Sequence, residues 1–103
     1  MIRILVACAN GAGSSLMMKM AVEKAMKQLG IKYSEVHHCA LAEGVSSARQ
    51  YDLVLVAQNF LNMYDNAIKQ GVRVIGLRNV LSDKEVIEKM NEAGYTELFL
   101  SKQ

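Results

Sequence analysis

Ile4-Leu5-Val6-Ala7-Cys8-Ala9-Asn10-Gly11-Ala12-Gly13-Ser14-Ser15-Leu16 is an apolar run that ends in a cysteine, passes through small residues and enters a segment of helical periodicity. That order spells a strand, a glycine-rich turn and a helix start. The glycines permit backbone conformations with φ > 0 that other residues resist. Ser14 or Ser15 can cap the helix by accepting one of the unpaired N–H groups of its first turn. Loop amides and the positive end of the helix dipole then converge on one spot, a natural site for an anion. Cys8 stands at its mouth, where a thiol ionises more readily and a thiolate is a nucleophile. The expectation is phosphate chemistry on sulfur.

On the N-terminal side, Ile2 to Ala7 is apolar apart from Arg3, as in a central strand covered on both faces. On the other side, Ser15 to Leu29 reads as a helix stopped by Gly30. At about 100° per residue, Met18, Ala21, Val22, Ala25 and Leu29 share the face expected to meet the core, and Met26 joins Met18 as a filler of core gaps. Leu16 and Met20 fall instead among Lys19, Glu23 and Lys27. Leu16, Met17 and Met20 are therefore candidates for a docking patch beside the anion site. The plainer reading is that scattered apolar residues on a solvated face carry no meaning.

Further along, a second strand is expected within Ile31 to Cys39, centred on Tyr33 to His38. Ala40 to Gln50 reads as a crossover with a short helix near Val45 to Arg49, and Asp52 to Ala57 as a third strand. Asn59 to Gln70 suits a helix in which Phe60, Leu61, Tyr64 and Ile68 are spaced to pack, with Gly71 ending it. Val72 to Leu77 is a fourth strand. Ser82-Asp83-Lys84-Glu85 outlines a capping box that opens a helix running to Ala93, where Gly94 interrupts. Tyr95 to Gln103 is left open between more helix and a packed tail. Strands alternating with helices imply a four-stranded parallel sheet with right-handed crossovers and helices on both faces. In such α/β folds ligands bind beyond the carboxyl ends of the strands where the strand order reverses. An order of 2-1-3-4 puts that point at the end of strand 1, at Cys8.

Composition narrows the function classes. The 103 residues suit one domain, 1–103, with 51% hydrophobic and 21% charged residues. A net charge of +2 gives no footprint for nucleic acid. No apolar run approaches ~18 residues, so no membrane insertion is expected. The N-terminus enters a strand directly, without the features of a signal peptide. The two cysteines, Cys8 and Cys39, are expected to be reduced in a cytoplasmic chain.

Known glycine-loop chemistries fit unequally. A dinucleotide fingerprint would need a third glycine where Leu16 stands, and an acidic residue near His37-His38-Cys39. A Walker loop needs a lysine before Ser14. The layout resembles a low-molecular-weight tyrosine phosphatase, but Ser14 occupies the position of that family's phosphate-clamping arginine. The loop also has no Asp to protonate a leaving group or activate water. Phosphate accepted on sulfur without prompt hydrolysis suits a carrier.

The octapeptide Cys8-Ala9-Asn10-Gly11-Ala12-Gly13-Ser14-Ser15, followed by Leu16-Met17-Met18-Lys19-Met20, resembles the IIB components of bacterial sugar phosphotransferase systems in the lactose/galactitol/ascorbate group. It is closest to the ascorbate type, whose loop reads Cys-x-Asn-Gly-x-Gly-Ser-Ser. The resemblance implies a Rossmann-like, phosphatase-like fold and a phosphocysteine intermediate. Cys8 would take a phosphoryl group from phosphohistidine of a IIA protein and pass it to a sugar, L-ascorbate by this likeness, held in membrane IIC. Ala9, Asn10, Gly11, Ala12, Gly13, Ser14 and Ser15 would cradle the phosphate, with no cofactor. A phosphatase-like hydrolase and a regulatory module derived from the same system are the alternatives.

Other polar residues are weighed separately. Cys39 reads as packing. His37 and His38 are adjacent and point to opposite faces of a regular strand. Together with Cys8 and Cys39 they match no standard zinc spacing, so no metal is expected. Gln58, Asn59 and Asn79 follow strands on the loop side, open between partner contact and ordinary turn chemistry.

Overall fold

Four parallel strands lie side by side in the order β2-β1-β3-β4 in this computed structural model. It describes residues 2–8 and 12–101, with Cys8 and residues 12–15 given by their backbone alone. The strands are β1 (Ile2–Cys8), β2 (Tyr33–Ala40), β3 (Leu53–Ala57) and β4 (Val74–Leu77). Helices α1 (Ala12–Leu29), α4 (Asp83–Ala93) and α5 (Tyr95–Ser101) cover one face. The other face carries α2 (Leu41–Ser47), α3 (Asp65–Lys69) and the 3-10 segments Ala48–Gln50 and Gln58–Tyr64. The expected sheet order and two-sided covering are both present.

The continuous apolar run of β1 has a direct cause. Ile4 and Val6 face α1, α4 and α5, while Leu5 and Ala7 face the opposite layer, and all four are fully buried. Such a strand has no solvent face on which to place a polar residue. Arg3 is tolerated because it sits at the rim. An irregularity after Ile2 sets it opposite Glu35, whose carboxylate accepts from its Nε at 2.7 Å, and its guanidinium lies 4.8 Å from the centre of the Tyr51 ring.

Helix α1 buries Met18, Ala21, Val22, Ala25 and Met26, with Leu29 half-buried at the rim. It begins at Ala12, three residues before the expected start, so Ser14 and Ser15 lie inside its first turn and are not its cap. Gly30, Gly71 and Gly94 follow α1, α3 and α4 with φ of 77°, 96° and 77°. The left-handed conformation that ends a helix costs a glycine almost nothing, which is why these stops are readable in sequence.

Three further elements differ from expectation. The crossover helix α2 starts at Leu41, directly after β2, and the segment over Val45–Arg49 is its end and a 3-10 turn. Asn59–Gln70 is a 3-10 segment followed by a short α3, which turns Tyr64 fully inward and leaves Ile68 42% exposed. At α4 the Ser82 hydroxyl accepts from the Glu85 amide at 3.2 Å, as a cap should. The Glu85 carboxylate does not return to Ser82, however. It accepts from the backbone amides of Arg78 and Asn79, both at 2.7 Å, and so ties the end of β4 to the start of α4.

Gly44 in α2 tests how tightly the second layer packs. A Cβ there would collide with the Tyr64 hydroxyl and lie 3.1 Å from the Ala7 Cβ. That hydroxyl donates to the Leu41 carbonyl at 3.0 Å inside the core. Helix propensity alone would make Gly44→Ala stabilising by up to ~1 kcal/mol. Overpacking costs about 1–3 kcal/mol, and displacing a buried hydrogen bond adds to it. Gly44→Ala is therefore expected to lower the urea midpoint. Adding Tyr64→Phe should recover part of the loss, and purely additive effects would contradict the stated contact.

Candidate functional site

All four strands end at the same edge of the sheet, where Cys8 is opposite Ala40 in β2 and Ala57 is opposite Leu77 in β4. Cys8 is thus the last residue of an inner strand, at the point where the chain has built β2 on one side and β3 on the other. The helix opens at Ala12, so the backbone passes from strand to helix in three residues. Of the expected phosphate cradle, Ala9, Asn10 and Gly11 lie outside the described residues. Ala12, Gly13, Ser14 and Ser15 form the opening turn of α1. The first N–H groups of any α-helix lack partners within it and carry its positive dipole end. An 18-residue helix presenting that end beside the Cys8 strand terminus is the arrangement that anion binding needs.

Leu16, Met17 and Met20 are 47%, 54% and 61% exposed, on the first turns of α1 beyond the loop. Met17 and Met20 line a groove of about 470 Å³ with Ala21, Glu23, Lys24, Lys27, Leu81 and Asp83, whereas Leu16 stands outside it. Asp83 of the groove is tied to Gln28, whose amide donates to its carboxylate at 2.6 Å. That bond, with Lys24 nearby, holds Asp83 below its ordinary range.

The loop-side polar residues divide. Asn79 performs turn chemistry, its side-chain oxygen accepting from the Leu81 amide at 3.0 Å. Gln58 accepts from Arg78 Nε at 3.3 Å, and the two share a hollow with Asn59 and Leu77 at the end of β3 and β4. Arg78 was not singled out in the sequence because no motif surrounds it. It follows β4, two strands from β1, about 10 Å away at the usual strand spacing.

Cys39 is buried against α2, on the layer that holds Ala7 and Leu41, and is a free thiol. It packs in the core cluster of that layer. Burial, and then the nearby Glu43, push its thiol from 9.0 up to about 11. At neutral pH the free thiol keeps its proton. The unfolded chain releases this proton at its ordinary value and the folded chain holds it longer. This contribution to stability is thus complete below pH 9.0 and is lost as pH rises toward about 11. Urea midpoints should fall more steeply across that window in the wild type than in Cys39→Ala, and parallel curves would contradict the burial.

His37 and His38 lie on β2 with ring centres 6.4 Å apart. His37 is exposed, stacks on Tyr51 at 6.2 Å and sits 3.8 Å from the Glu43 carboxylate. Glu43 has no place in the sequence reading, because the helix that carries it was expected further on.

Comparison with known proteins bears on this arrangement. Ascorbate-specific phosphotransferase-system EIIB components of Salmonella choleraesuis and Shigella flexneri are each 32% identical over 91 residues, covering 88% of this chain and 87% of theirs. The lactose-specific IIB domain of the phosphoenolpyruvate:carbohydrate phosphotransferase system from Streptococcus pneumoniae has the same fold. It superposes with a TM-score of 0.64 at 19% identity, covering 88% of this chain and 95% of that one. The family model for lactose/cellobiose-specific IIB subunits matches residues 3–92, so the chain belongs to the IIB family of the sugar phosphotransferase system.

Proposed function

We propose that the protein carries a phosphoryl group on Cys8, taking it from phosphohistidine of a IIA protein and delivering it to a sugar held in membrane IIC. The observation that carries this reading is the position of Cys8, the last residue of an inner strand, four residues before a long helix opens. Phosphoryl transfer demands positioning and charge stabilisation more than covalent machinery. Backbone amides of the loop and of the first turn of α1 supply both without a metal. In the first step the Cys8 thiolate attacks phosphorus, the N–P bond of the donor breaks and the S–P bond forms. In the second a sugar hydroxyl attacks phosphorus, the O–P bond forms as the S–P bond breaks, the hydroxyl proton passes to solvent and the thiolate is restored. Ala9, Asn10, Gly11, Ala12, Gly13, Ser14 and Ser15 form the cradle in this reading.

L-Ascorbate is the proposed sugar, on the strength of the loop pattern and of relatives named as ascorbate-specific. No helix among the described residues is long and apolar enough to cross a membrane, which suits a carrier working from the cytoplasmic side. The test is a chase. Protein labelled by phosphorylated IIA should keep its label until membranes containing IIC and ascorbate are added, and the label should then appear on the sugar. Prompt release as inorganic phosphate without membranes would favour a phosphatase-like hydrolase instead.

Leu16, Met17 and Met20 are the proposed docking residues for these partners. They are apolar, exposed and next to the site, and transient contacts of this kind are modest in area. Met20→Glu is expected to slow transfer at least ~10-fold, since a charge must be desolvated at the contact. Its melting temperature should not move, because Met20 buries little in the isolated chain. Unchanged rates with both partners would remove the patch from the account.

A further inference from the structure

Three side chains at the β2–α2 junction converge on one point. His37 and Cys39 are two residues apart on β2, so the pleat sets them on the same face. Helix α2 begins immediately after the strand and brings Glu43 back over them. The His37 Nε2 is 3.8 Å from the Glu43 Oε1, and one ligand atom from each of the three residues lies within 4.8 Å of the other two. Cys39 is buried and forms the floor. The His37 and Glu43 side chains, 45% and 65% exposed, form a rim open to solvent.

Zinc bound at the usual ~2.0–2.3 Å in a tetrahedron sets its ligand atoms about 3.3–3.8 Å apart. The imidazole and carboxylate already stand near that spacing. The remaining closure is at most about 1.5 Å, within reach of rotations of two exposed side chains. The stack on Tyr51 holds the His37 ring nearly parallel to it, at 12°, which limits the ring's freedom before any ion arrives. One imidazole, one thiolate and one carboxylate suit zinc and its late first-row neighbours, and do not suit magnesium or calcium, which prefer oxygen alone.

We propose that His37, Cys39 and Glu43 form a binding site for a zinc-class divalent cation, with water completing its coordination. The set differs from the one weighed in sequence because it uses Glu43, which only the early start of α2 brings close. The Cys39 thiol gives its proton to solvent as the sulfur–metal bond forms, and the imidazole binds neutral through Nε2. Cys39 stands opposite Ala7, one step before the Cys8–Ala40 pair, so the ion would lie on the α2 side of the strand end that carries Cys8. This assignment is independent of the phosphoryl-carrier reading.

Cobalt(II) titration of reduced, chelator-treated protein tests it. Cys8→Ser serves as background, because Cys39 is then the only thiol in the chain. Equimolar cobalt should produce a thiolate-to-metal charge-transfer band that equimolar zinc abolishes, and Cys39→Ser should remove the band. His37→Gln and Glu43→Gln alter only exposed side chains and so leave the fold intact. Each should weaken binding more than ~10-fold, at least the loss seen for groups that merely orient metal ligands. Absence of the band in the Cys8→Ser protein, or unchanged affinity in both His37→Gln and Glu43→Gln, would overturn the site.

Discussion

Cys8→Ser is expected to abolish phosphoryl acceptance from IIA while leaving the melting transition where it is. The substitution exchanges one small side chain for another and leaves untouched the backbone pairing of Cys8 with Ala40. What changes is the nucleophile. A cysteine near a helix N-terminus is partly thiolate at neutral pH, whereas a serine hydroxyl is not ionised and no base stands in the Cys8–Ser15 stretch to take its proton. Removing the nucleophile of an enzyme that works through a covalent intermediate lowers turnover by as much as ~10⁶-fold. Transfer in the variant should therefore fall to background in a labelling assay. Normal labelling of Cys8→Ser would place the acceptor elsewhere in the chain.

The second large effect is on stability. Phe99 lies on α5 and is fully buried against the sheet, with the Tyr95 ring at 6.2 Å and the Arg73 guanidinium 5.7 Å from its ring centre. Phe99→Ala is expected to cost about 3–5 kcal/mol, because the lost burial is joined by a cavity that the surrounding helices fill only in part. Small domains are stable by roughly 5–15 kcal/mol, so the variant should melt far below the wild type. A loss under ~1 kcal/mol would mean that α5 is detached from the core in solution. Phosphoryl transfer measured well below the variant's melting point should persist, since Phe99 lies outside the proposed cradle of Ala9 to Ser15 and leaves the nucleophile unchanged.

Particular elements show which parts of this molecule were readable in sequence. β1 was, because burial on both faces leaves an unbroken apolar run, and so were the helix stops, because a positive φ selects glycine one residue at a time. The sheet order followed from alternation together with the position of Cys8. The α2 helix was not legible. It is seven residues long, too short to display a period, and its central Gly44 reads as a breaker until Tyr64 and Ala7 are seen filling the space a side chain would occupy. The 3-10 segment before α3 shares its apolar spacing with an α-helix, and only the tighter winding reveals that Tyr64 turns inward and Ile68 outward. Whether Glu85 would bond to Ser82 or to the amides after β4 depends on where β4 ends in space, which no local pattern encodes. The proposed metal site was hidden for the same reason, since Glu43 meets His37 and Cys39 only through α2. The Cys8 loop, by contrast, wears its chemistry in a contiguous motif.

The account as a whole rests on where a phosphoryl group resides after the donor has acted. Intact protein incubated with phosphorylated IIA, digested under conditions that preserve S–P bonds and mapped by mass spectrometry, answers this directly. One added phosphoryl group on the peptide that contains Cys8, with the peptide of His37, His38 and Cys39 unmodified, is the result this account predicts. A phosphoryl group on either histidine with Cys8 unmodified would contradict it.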